Sequence, residues 1–303
     1  MLTLLVSSIL IFALTQLLPG DVGKLILGRD ASVEAVNRFK AEFGLDQPVL
    51  MQYGDWLGGF VSGDWGKSFS GGAWPVRPEV LHRMGNSLRL AALTLLLSIP
   101  IGVSFGVIAA LKENSWVDNI ISIVSLSVVG LPEFVTGIVL INVFALGLGW
   151  FEASSIVQSQ YGLGEWIRVL FLPAVTASFV IIGYIARMTR ASMIDELKKN
   201  YVRTAKLKGL PYRTVVIKHV LRNALLPTIT VVAISIGWLI GGLVVVEQVY
   251  NYPGLGSLLV DAVEKKNLPV IQASVMIIVF FFAIANLAAD ILYAYLNPRI
   301  RLS

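Results

Sequence analysis

Six long apolar runs constrain the fold of this chain more than any other feature. They lie at about residues 2–18, 90–111, 119–149, 169–187, 228–246 and 271–295. About 20 apolar residues form an α-helix that crosses the hydrocarbon core of a bilayer, so each run predicts a transmembrane helix. Of the 303 residues, 56% are hydrophobic and 14% are charged, which is outside the range of soluble domains. The sequence therefore predicts an all-α integral membrane protein with six transmembrane helices.

Two of these runs carry a further local signal. Pro132 interrupts the third run, and we expect a kink there because the proline ring removes a backbone donor and crowds the preceding turn. The first run has a rival interpretation as a cleaved secretory signal, but it lacks a basic n-region and residues 15–20 offer no small-x-small cleavage site. The missing basic flank also fits a native helix that is longer than residues 2–18.

The distribution of positive charge predicts the orientation. With a cytoplasmic N-terminus, the short inner loops and the tail hold 13 lysines and arginines, whereas the short outer loops hold three. Residues 19–89 carry eight basic and eight acidic residues, and a loop longer than about 60 residues translocates largely regardless of charge. We expect both termini in the cytoplasm. The expected divisions are a first helix at 1–18, an extracytoplasmic loop region at 19–89, a core at 90–296 and a cytoplasmic tail at 297–303.

The loop between the fourth and fifth runs is strongly basic. Residues 187–222 include ten lysines and arginines against two acidic residues. Residues 201–208 have a helical pattern that Gly209 ends, and Pro211 follows at the expected start of a second helix. We predict a rigid helix-turn-helix that contacts a cytoplasmic partner.

The two sides of this helix-turn-helix differ in character. The predicted apolar side, which would dock in a groove of the partner, consists of Leu207, Leu210, Val215, Val216, Val220 and Leu221. The predicted solvated side consists of Lys206, Lys208, Arg213, Lys218 and Arg222. The alternative is a solvated loop that only sets the topology and contacts anionic lipids.

These residues resemble the coupling loop of binding-protein-dependent ATP-binding-cassette (ABC) importer permeases. In that family the triplet Glu-Ala-Ala, three residues and a glycine are followed by Leu-Pro about a dozen positions on. Residues 203–205 stand at the triplet, Gly209 has the required spacing, and Leu221 stands at the family's leucine, although Arg222 replaces the proline. The coupling residues that the resemblance implies, within a loop at 188–227, are Tyr201, Arg203, Thr204, Ala205, Lys208, Gly209, Leu210, Leu221, Asn223 and Pro227.

Other stretches are similar to the B-type permease subunit of dipeptide and oligopeptide importers. They are Leu17–Asp21, the GLDQP near Gly44, Gly63–Phe69, the segment that starts at Val246 and the NPRIR tail from Asn297. The resemblance implies a type I importer (MetI-like) permease fold with a long external loop after the first helix. It also implies a non-enzymatic subunit that moves short peptides or similar solutes by alternating access across a bacterial or archaeal cytoplasmic membrane.

The resemblance also implies the partners. These are a second homologous permease subunit, two cytoplasmic ATPase subunits that bind ATP and Mg, an extracytoplasmic solute-binding protein and membrane lipid, without nucleic acid. No cofactor, metal site or catalytic residue is expected in this chain. The cargo stays open among dipeptides, oligopeptides, glutathione, metal chelates and oligosaccharides.

Two acidic residues lie within apolar runs, where a central charge costs roughly 2.5 to 3.5 kcal/mol on insertion scales. Glu133 follows the expected kink, and Asp290 lies in the last run. Each can line the translocation path and attract the amino group of a peptide. The alternatives are an interhelical hydrogen bond for Glu133 and snorkelling to the cytoplasm for Asp290.

The outer segment from Glu247 to Pro269 contains a tight turn followed by apolar residues. In the family such a segment caps the pathway. The candidate cap residues are Glu247, Tyr252, Pro253, Gly254 and Gly256. A plain surface turn is the alternative to a re-entrant plug.

Aromatic residues and glycines in the predicted spans have simpler interpretations. The residues predicted for the interfacial aromatic belts are Trp150, Trp166, Tyr250 and Tyr252. The glycines predicted to allow close helix packing, with gating as the alternative, are Gly102, Gly106, Gly237, Gly241 and Gly242.

Several functions are excluded or disfavoured by what the chain lacks. Gly66-Lys67-Ser68 ends like a phosphate-binding loop, but Val61 stands where that motif requires glycine. The chain has no cysteine, which excludes disulfides and thiolate metal sites within it. A self-sufficient secondary transporter would need inverted repeats and mid-membrane carboxylates for its coupling ions, whereas no repeat is visible. A membrane-anchored scaffold whose basic loop recruits a partner is a further alternative.

Overall fold

The computed structural model describes residues 2–17, 22–28, 30–70, 72–156 and 161–296. These residues are predominantly helical, and β-type pairing among them is limited to one isolated bridge between Lys67 and Pro75. The predicted all-α fold is therefore confirmed. The predicted tail at 297–303, the predicted end of the first span at residue 18 and most of Leu17–Asp21 lie outside the described residues.

The chain forms two compact units, Met1–Ser87 with Pro253–Ala283 and Leu88–Tyr252 with Ile284–Ser303. In chain order the helices are α1 (Leu2–Gln16), α2 (Val22–Leu27), α3 (Val33–Glu42), α4 (Val49–Ser62), α5 (Val76–Leu111), α6 (Trp116–Gly130), α7 (Glu133–Leu140), the π-helix Ile141–Gly147, α8 (Leu163–Leu197), α9 (Asn200–Leu207), α10 (Tyr212–Thr214), the π-helix Val215–Val220, α11 (Leu221–Gly242), α12 (Val244–Val249), α13 (Leu255–Glu264) and α14 (Leu268–Leu296). The predicted external region at 19–89 is thus largely helical among its described residues.

Four helices in the described part of the chain are long and apolar enough to cross a membrane. They are Val76–Leu111, Leu163–Leu197, Tyr212–Gly242 and Leu268–Ala288. Helix α6 and the helical segment Glu133–Gly147 meet the same criterion only together, and the bend of 106° between them fits either one broken span or a re-entrant loop. The four long helices correspond to four of the six predicted spans, and the bent pair occupies the position of the third predicted span. Helix α1 has 15 residues, or roughly 22 Å of length, which is shorter than the ~30 Å hydrocarbon core, and the sixth span stays a prediction.

The break in the third span lies at the predicted proline. Helix α6 ends at Gly130, and Pro132 is the N-cap of α7 with extended backbone angles (φ −61°, ψ 134°). Because proline fixes φ and disfavours the helical conformation of the residue before it, the chain leaves the helix at Leu131. The predicted kink is therefore confirmed, and it separates two helices.

Close backbone approach joins α8 to its neighbours in the second unit. A Cβ atom on Gly106 of α5 would lie 2.5 Å from the Cβ of Thr189 and 2.6 Å from the carbonyl oxygen of Ala186. A Cβ atom on Gly183 of α8 would lie 2.8 Å from the carbonyl oxygen of Ser125 in α6. Such contact needs glycine, as is common where packing drives helix association in lipid. The predicted packing role is confirmed for Gly106, and α8 is the helix on which α5 and α6 converge.

Helix α3 of the first unit is amphipathic and has a side-chain cap. The Ser32 hydroxyl accepts a hydrogen bond from the Ala35 amide and so caps α3. Phe39 is buried, and its ring packs at 5.4 Å from that of Phe69 and 4.8 Å from that of Phe43. These aromatic contacts tie α3 to the segment that precedes α5.

Candidate coupling site

The basic hairpin, which we define as residues 200–220, has a turn that only a few residues can adopt. Gly209 has φ +75°, in the left-handed region that glycine enters without steric cost. Its amide donates to the carbonyl oxygen of Lys206 at 3.0 Å, and the Leu210 amide donates to that of Ala205 at 3.3 Å. Pro211 then caps α10 with φ −56°. The helix-turn-helix predicted from Gly209 and Pro211 is therefore confirmed.

A buried valine cluster fixes this hairpin to α8. Val202, Val215 and Val220 are fully buried, and they pack with Met193 and Ile194 near the end of α8. Burial of each such side chain contributes roughly 1.5 to 3 kcal/mol. The hairpin is thus a rigid extension of α8.

The predicted apolar side of the hairpin was partly wrong. Leu207 is 80% exposed and Leu210 is 40% exposed, whereas Val215, Val216 and Val220 are buried. The valines occupy the surface of α8, so Leu207 and Leu210 face away from it. Tyr212 and Ile217 are also exposed, at 51% and 65%. The hairpin therefore exposes four apolar side chains, Leu207, Leu210, Tyr212 and Ile217, which we call the Leu207 patch.

Polar contacts hold the base of the hairpin. The Tyr201 hydroxyl donates to Oε2 of Glu196 at 2.8 Å and accepts from Nδ2 of Asn223 at 3.5 Å. Burial raises the pKa of Tyr201, so its hydroxyl keeps the proton that it donates. The ammonium group of Lys199 pairs with the same Glu196 carboxylate. These contacts join the end of α8, α9 and the start of α11.

The remaining predicted coupling residues differ in exposure. Arg203, Thr204 and Lys208 are exposed, whereas Ala205 and Leu221 are half-buried against the valine cluster. Pro227 lies inside α11. The structure therefore brings the triplet and the glycine together on the hairpin, and the first ten residues of the predicted loop at 188–227 are the end of α8.

The two predicted path acids have different surroundings. Glu133 opens α7 directly after the break and is half-buried, and its Oε1 atom is buried with no hydrogen-bond partner among the described residues. Asp290 of α14 is exposed. A buried carboxylate oxygen without a partner is energetically costly, which is more typical of a functional position than of a structural one.

The predicted belt positions of Tyr250 and Tyr252 were wrong, because both side chains are fully buried in protein. The Tyr252 amide donates to the carbonyl oxygen of Glu247 at 2.7 Å, and Glu247 is itself 1% exposed. In the first unit, Gly254 and Gly256 are buried as well. A plain surface turn does not fit this burial.

The first unit also holds the residues that follow Tyr252. Asn86 Nδ2 donates to the carbonyl oxygen of Pro253 at 2.9 Å, and the Leu255 amide donates to the Ser87 hydroxyl at 2.8 Å. Both contacts come from α5. They give the start of α13 a defined position within this unit.

An ion pair that the sequence does not predict joins α6 to α8. Arg190 Nε lies 2.5 Å from Oδ1 of Asp118, and its Nη2 lies 2.6 Å from Oδ2. The Asp118 side chain is 2% exposed and that of Arg190 is 31% exposed. Asp118 Oδ2 also accepts from the Asn114 amide at 2.9 Å, and the Asp118 amide donates to the Ser115 hydroxyl at 3.3 Å. The Ser115-x-x-Asp118 spacing is a helix-start signal that the sequence offers, but nothing in it identifies Arg190 as the partner.

Comparison with known proteins identifies the family. Residues 102–302 match the family of binding-protein-dependent transport system inner membrane components, and residues 1–84 match its N-terminal membrane component. The chain is 38% identical over 299 residues to the glutathione transport system permease protein GsiC of Escherichia coli strain K12, covering 99% of this chain and 95% of that protein. It is 40% identical over 298 residues to a protein of Brucella abortus strain 2308 that is provisionally named a peptide transport system permease. This match covers 98% of this chain and 95% of that protein.

These matches extend over nearly the whole chain and agree with its apolar helices. The chain therefore belongs to the family of binding-protein-dependent transport system inner membrane components, as a non-catalytic, multi-pass permease subunit of an ABC importer in the inner membrane.

Proposed function

We propose that this permease imports short peptides or solutes of similar size, glutathione among them. The names of the relatives in Escherichia coli and Brucella abortus support this class of cargo. Selection among cargoes rests mainly on an extracytoplasmic binding protein that delivers them. A second permease subunit supplies the other half of the pathway, since one coupling hairpin serves one of two ATPase subunits.

We propose further that the basic hairpin lies in the cytoplasm and contacts an ABC ATPase subunit that binds ATP and Mg. The single observation that carries this proposal is the exposure of the four apolar side chains of the Leu207 patch, because apolar side chains on a rigid, charged hairpin are suited to a protein groove. A loop that only sets topology needs charge and no such patch. Both chain termini are then cytoplasmic, as the distribution of positive charge favours.

The path and the cap complete the proposal. We assign Glu133 to the pathway at the break of the third span, because its buried Oε1 has no hydrogen-bond partner among the described residues. The pathway must open at this break before the amino group of a peptide can reach that atom. Asp290 is the weaker candidate, because an exposed acid near the end of a helix is also explained by snorkelling. Glu247, Tyr252, Pro253, Gly254 and Gly256 belong to the segment that caps the pathway on the outer side.

The test of coupling uses Leu207→Asp in the complete importer, purified with its binding protein and reconstituted in liposomes. A charge in the patch should prevent close contact with the ATPase. We expect loss of ATPase subunit on purification and loss of ATP-driven uptake of a labelled tripeptide. The control is Val33→Asp, since Val33 is also exposed, at 70%, on a short helix of the other unit. Normal uptake by Leu207→Asp would refute the coupling proposal.

A second measurement tests the cargo. The same liposomes are supplied with labelled dipeptide, glutathione and a trisaccharide, each with ATP. We expect uptake of the peptides and not of the trisaccharide. Uptake of the trisaccharide alone would refute the assignment to peptides.

A further inference from the structure

We propose that Asp118 and Arg190 form a clamp that carries movement of the basic hairpin into the broken third span. Both are then positioning residues for import, since neither needs to touch the cargo or ATP. The inference rests on the proposed coupling role of the hairpin. It adds the route by which a displacement at the hairpin reaches the membrane.

The first step of this route is the junction of the hairpin with α8. The valine cluster fixes the hairpin to Met193 and Ile194, and close-packed side chains transmit displacement because they deform little. Arg190 lies one turn before this cluster and seven residues before the end of α8 at Leu197. A shift of the hairpin therefore moves Arg190 with it.

The second step crosses from α8 to α6. The two parallel nitrogen–oxygen contacts between Arg190 and Asp118 fix both distance and direction, which a single contact or a lysine does not. Asp118 is almost completely excluded from solvent, so screening by salt and water is small. The Ser122 hydroxyl donates to Oδ1 at 3.3 Å and further fixes the carboxylate.

The third step runs along α6 to the break. Asp118 lies in the first turn of α6, and it also holds Asn114 of the preceding turn through the backbone amide. Helix α6 continues without interruption to Gly130, and Glu133 begins the next helix after Pro132. A pull on Asp118 is therefore delivered at the bend, which is the point where the span can change its angle without breaking helical hydrogen bonds.

A second ion pair joins the end of α8 to the turn that precedes α6, and it serves as a matched control. Lys198 Nζ lies 3.3 Å from Oε1 of Glu113, but the two side chains are 66% and 37% exposed. Exposed pairs contribute little because water and salt screen them. If any charge pair between these regions were enough to transmit the movement, Lys198→Ala and Arg190→Gln would lower import per ATP equally.

The experiment measures cargo imported per ATP hydrolysed by the complete reconstituted importer. We expect Asp118→Asn and Arg190→Gln to keep ATP hydrolysis while import per ATP falls about tenfold. Arg190→Lys should recover part of the loss because it restores the charge without the second contact. Lys198→Ala should be unchanged. An unchanged ratio in Asp118→Asn, or a parallel fall of hydrolysis and import, would overturn the inference, because a merely structural role lowers both together.

A cysteine pair at positions 118 and 190 tests the clamp even if the single variants assemble poorly, because a covalent link can replace the ion pair after assembly. The chain has no cysteine, so Asp118→Cys with Arg190→Cys introduces the only thiol pair of this subunit, and the other subunits are made cysteine-free for this test. A short bifunctional thiol reagent, added to the assembled importer, should restore import per ATP that the untreated double variant lacks. No recovery after complete cross-linking would overturn the inference.

Comparison with Leu207→Asp separates the two proposals. If Leu207→Asp imports normally, the coupling role of the hairpin fails, and the clamp fails with it. If Leu207→Asp abolishes import while the clamp variants retain normal import per ATP, the clamp alone fails.

Discussion

The hydroxyl oxygens of Tyr250 and Thr176 lie 2.7 Å apart in the interior of the second unit, where both residues are almost completely buried. The Tyr250 hydroxyl also lies 3.3 Å from the carbonyl oxygen of Gly137 in α7. The backbone carbonyl oxygen of Tyr250 accepts a hydrogen bond from the Ser155 amide at 2.7 Å. The residue after α12 is thus joined to α7, α8 and the connection between them, next to the proposed cap.

Replacement of Tyr250 by phenylalanine should destabilise the subunit by about 1 to 3 kcal/mol, since the hydrogen bonds of the hydroxyl with Thr176 and with Gly137 are both lost while the ring stays. The measurement is the thermal unfolding midpoint of the purified importer in detergent. Tyr184→Phe is the control, because Tyr184 lies on α8 like Thr176 but is 50% exposed. Equal midpoints for the two variants would contradict a stabilising role for this contact.

The contact of α5 with α8 gives a second prediction. Gly106→Ala places a Cβ atom 2.6 Å from the backbone oxygen of Ala186, so the helices must separate. We expect a loss of about 1 to 3 kcal/mol, as for other overpacked cores. Gly85→Ala in the same helix meets nothing within 4 Å and should be neutral or stabilising by up to ~1 kcal/mol. Thermal unfolding of both variants checks this, and a tolerated Gly106→Ala would argue against close packing.

The sequence predicts best where structure is determined locally. The turn at Gly209 and Pro211 follows from backbone preferences of those residues alone, and so does the break at Pro132. Four of the six spans follow from length and hydropathy, and a fifth does so when the bent pair is counted as one span. The helices also extend beyond the predicted spans. Helix α5, for example, begins at Val76 and not near residue 90. The reason is that a helix can continue through polar residues outside the hydrocarbon core, where hydropathy gives no signal.

Long-range partners could not be predicted in this way. The contact of Asp118 with Arg190 joins residues 72 positions apart, and no local pattern encodes it. Hydrophobicity also does not reveal which neighbour an apolar residue meets. For this reason Leu207 was assigned to the same side as the buried valines, and Tyr250 and Tyr252 were assigned to the lipid interface.

The turn of the hairpin gives a third prediction. In Gly209→Val the side chain has open space, but a β-branched residue at φ +75° costs roughly 1 to 3 kcal/mol of backbone strain. We expect uptake to fall about tenfold while the membrane helices still assemble. Gly209→Asn should retain most uptake, because asparagine tolerates the left-handed region. Normal uptake by Gly209→Val would contradict the need for a rigid turn.

The charge of Glu133 gives a fourth prediction. Glu133→Gln removes the carboxylate whose Oε1 has no partner among the described residues. A charged hydrogen bond contributes about 1.5 to 3 kcal/mol, so uptake of a cationic peptide should fall about tenfold or more, with little change for a neutral peptide. The measurement is the uptake of the cationic peptide divided by that of the neutral peptide, with both labelled peptides assayed in parallel. An unchanged ratio would exclude Glu133 from the path.

The most direct measurement concerns Leu207, the most exposed residue of the Leu207 patch. Because the chain has no cysteine, Leu207→Cys provides the only thiol of this subunit, to which a short photo-crosslinker can be attached in an importer whose other subunits have been made cysteine-free. The coupling proposal predicts a covalent product with the ATPase subunit, in a yield that changes between the nucleotide-free and ATP-bound states. Labelling of lipid alone, with no ATPase product in any nucleotide state, would contradict it.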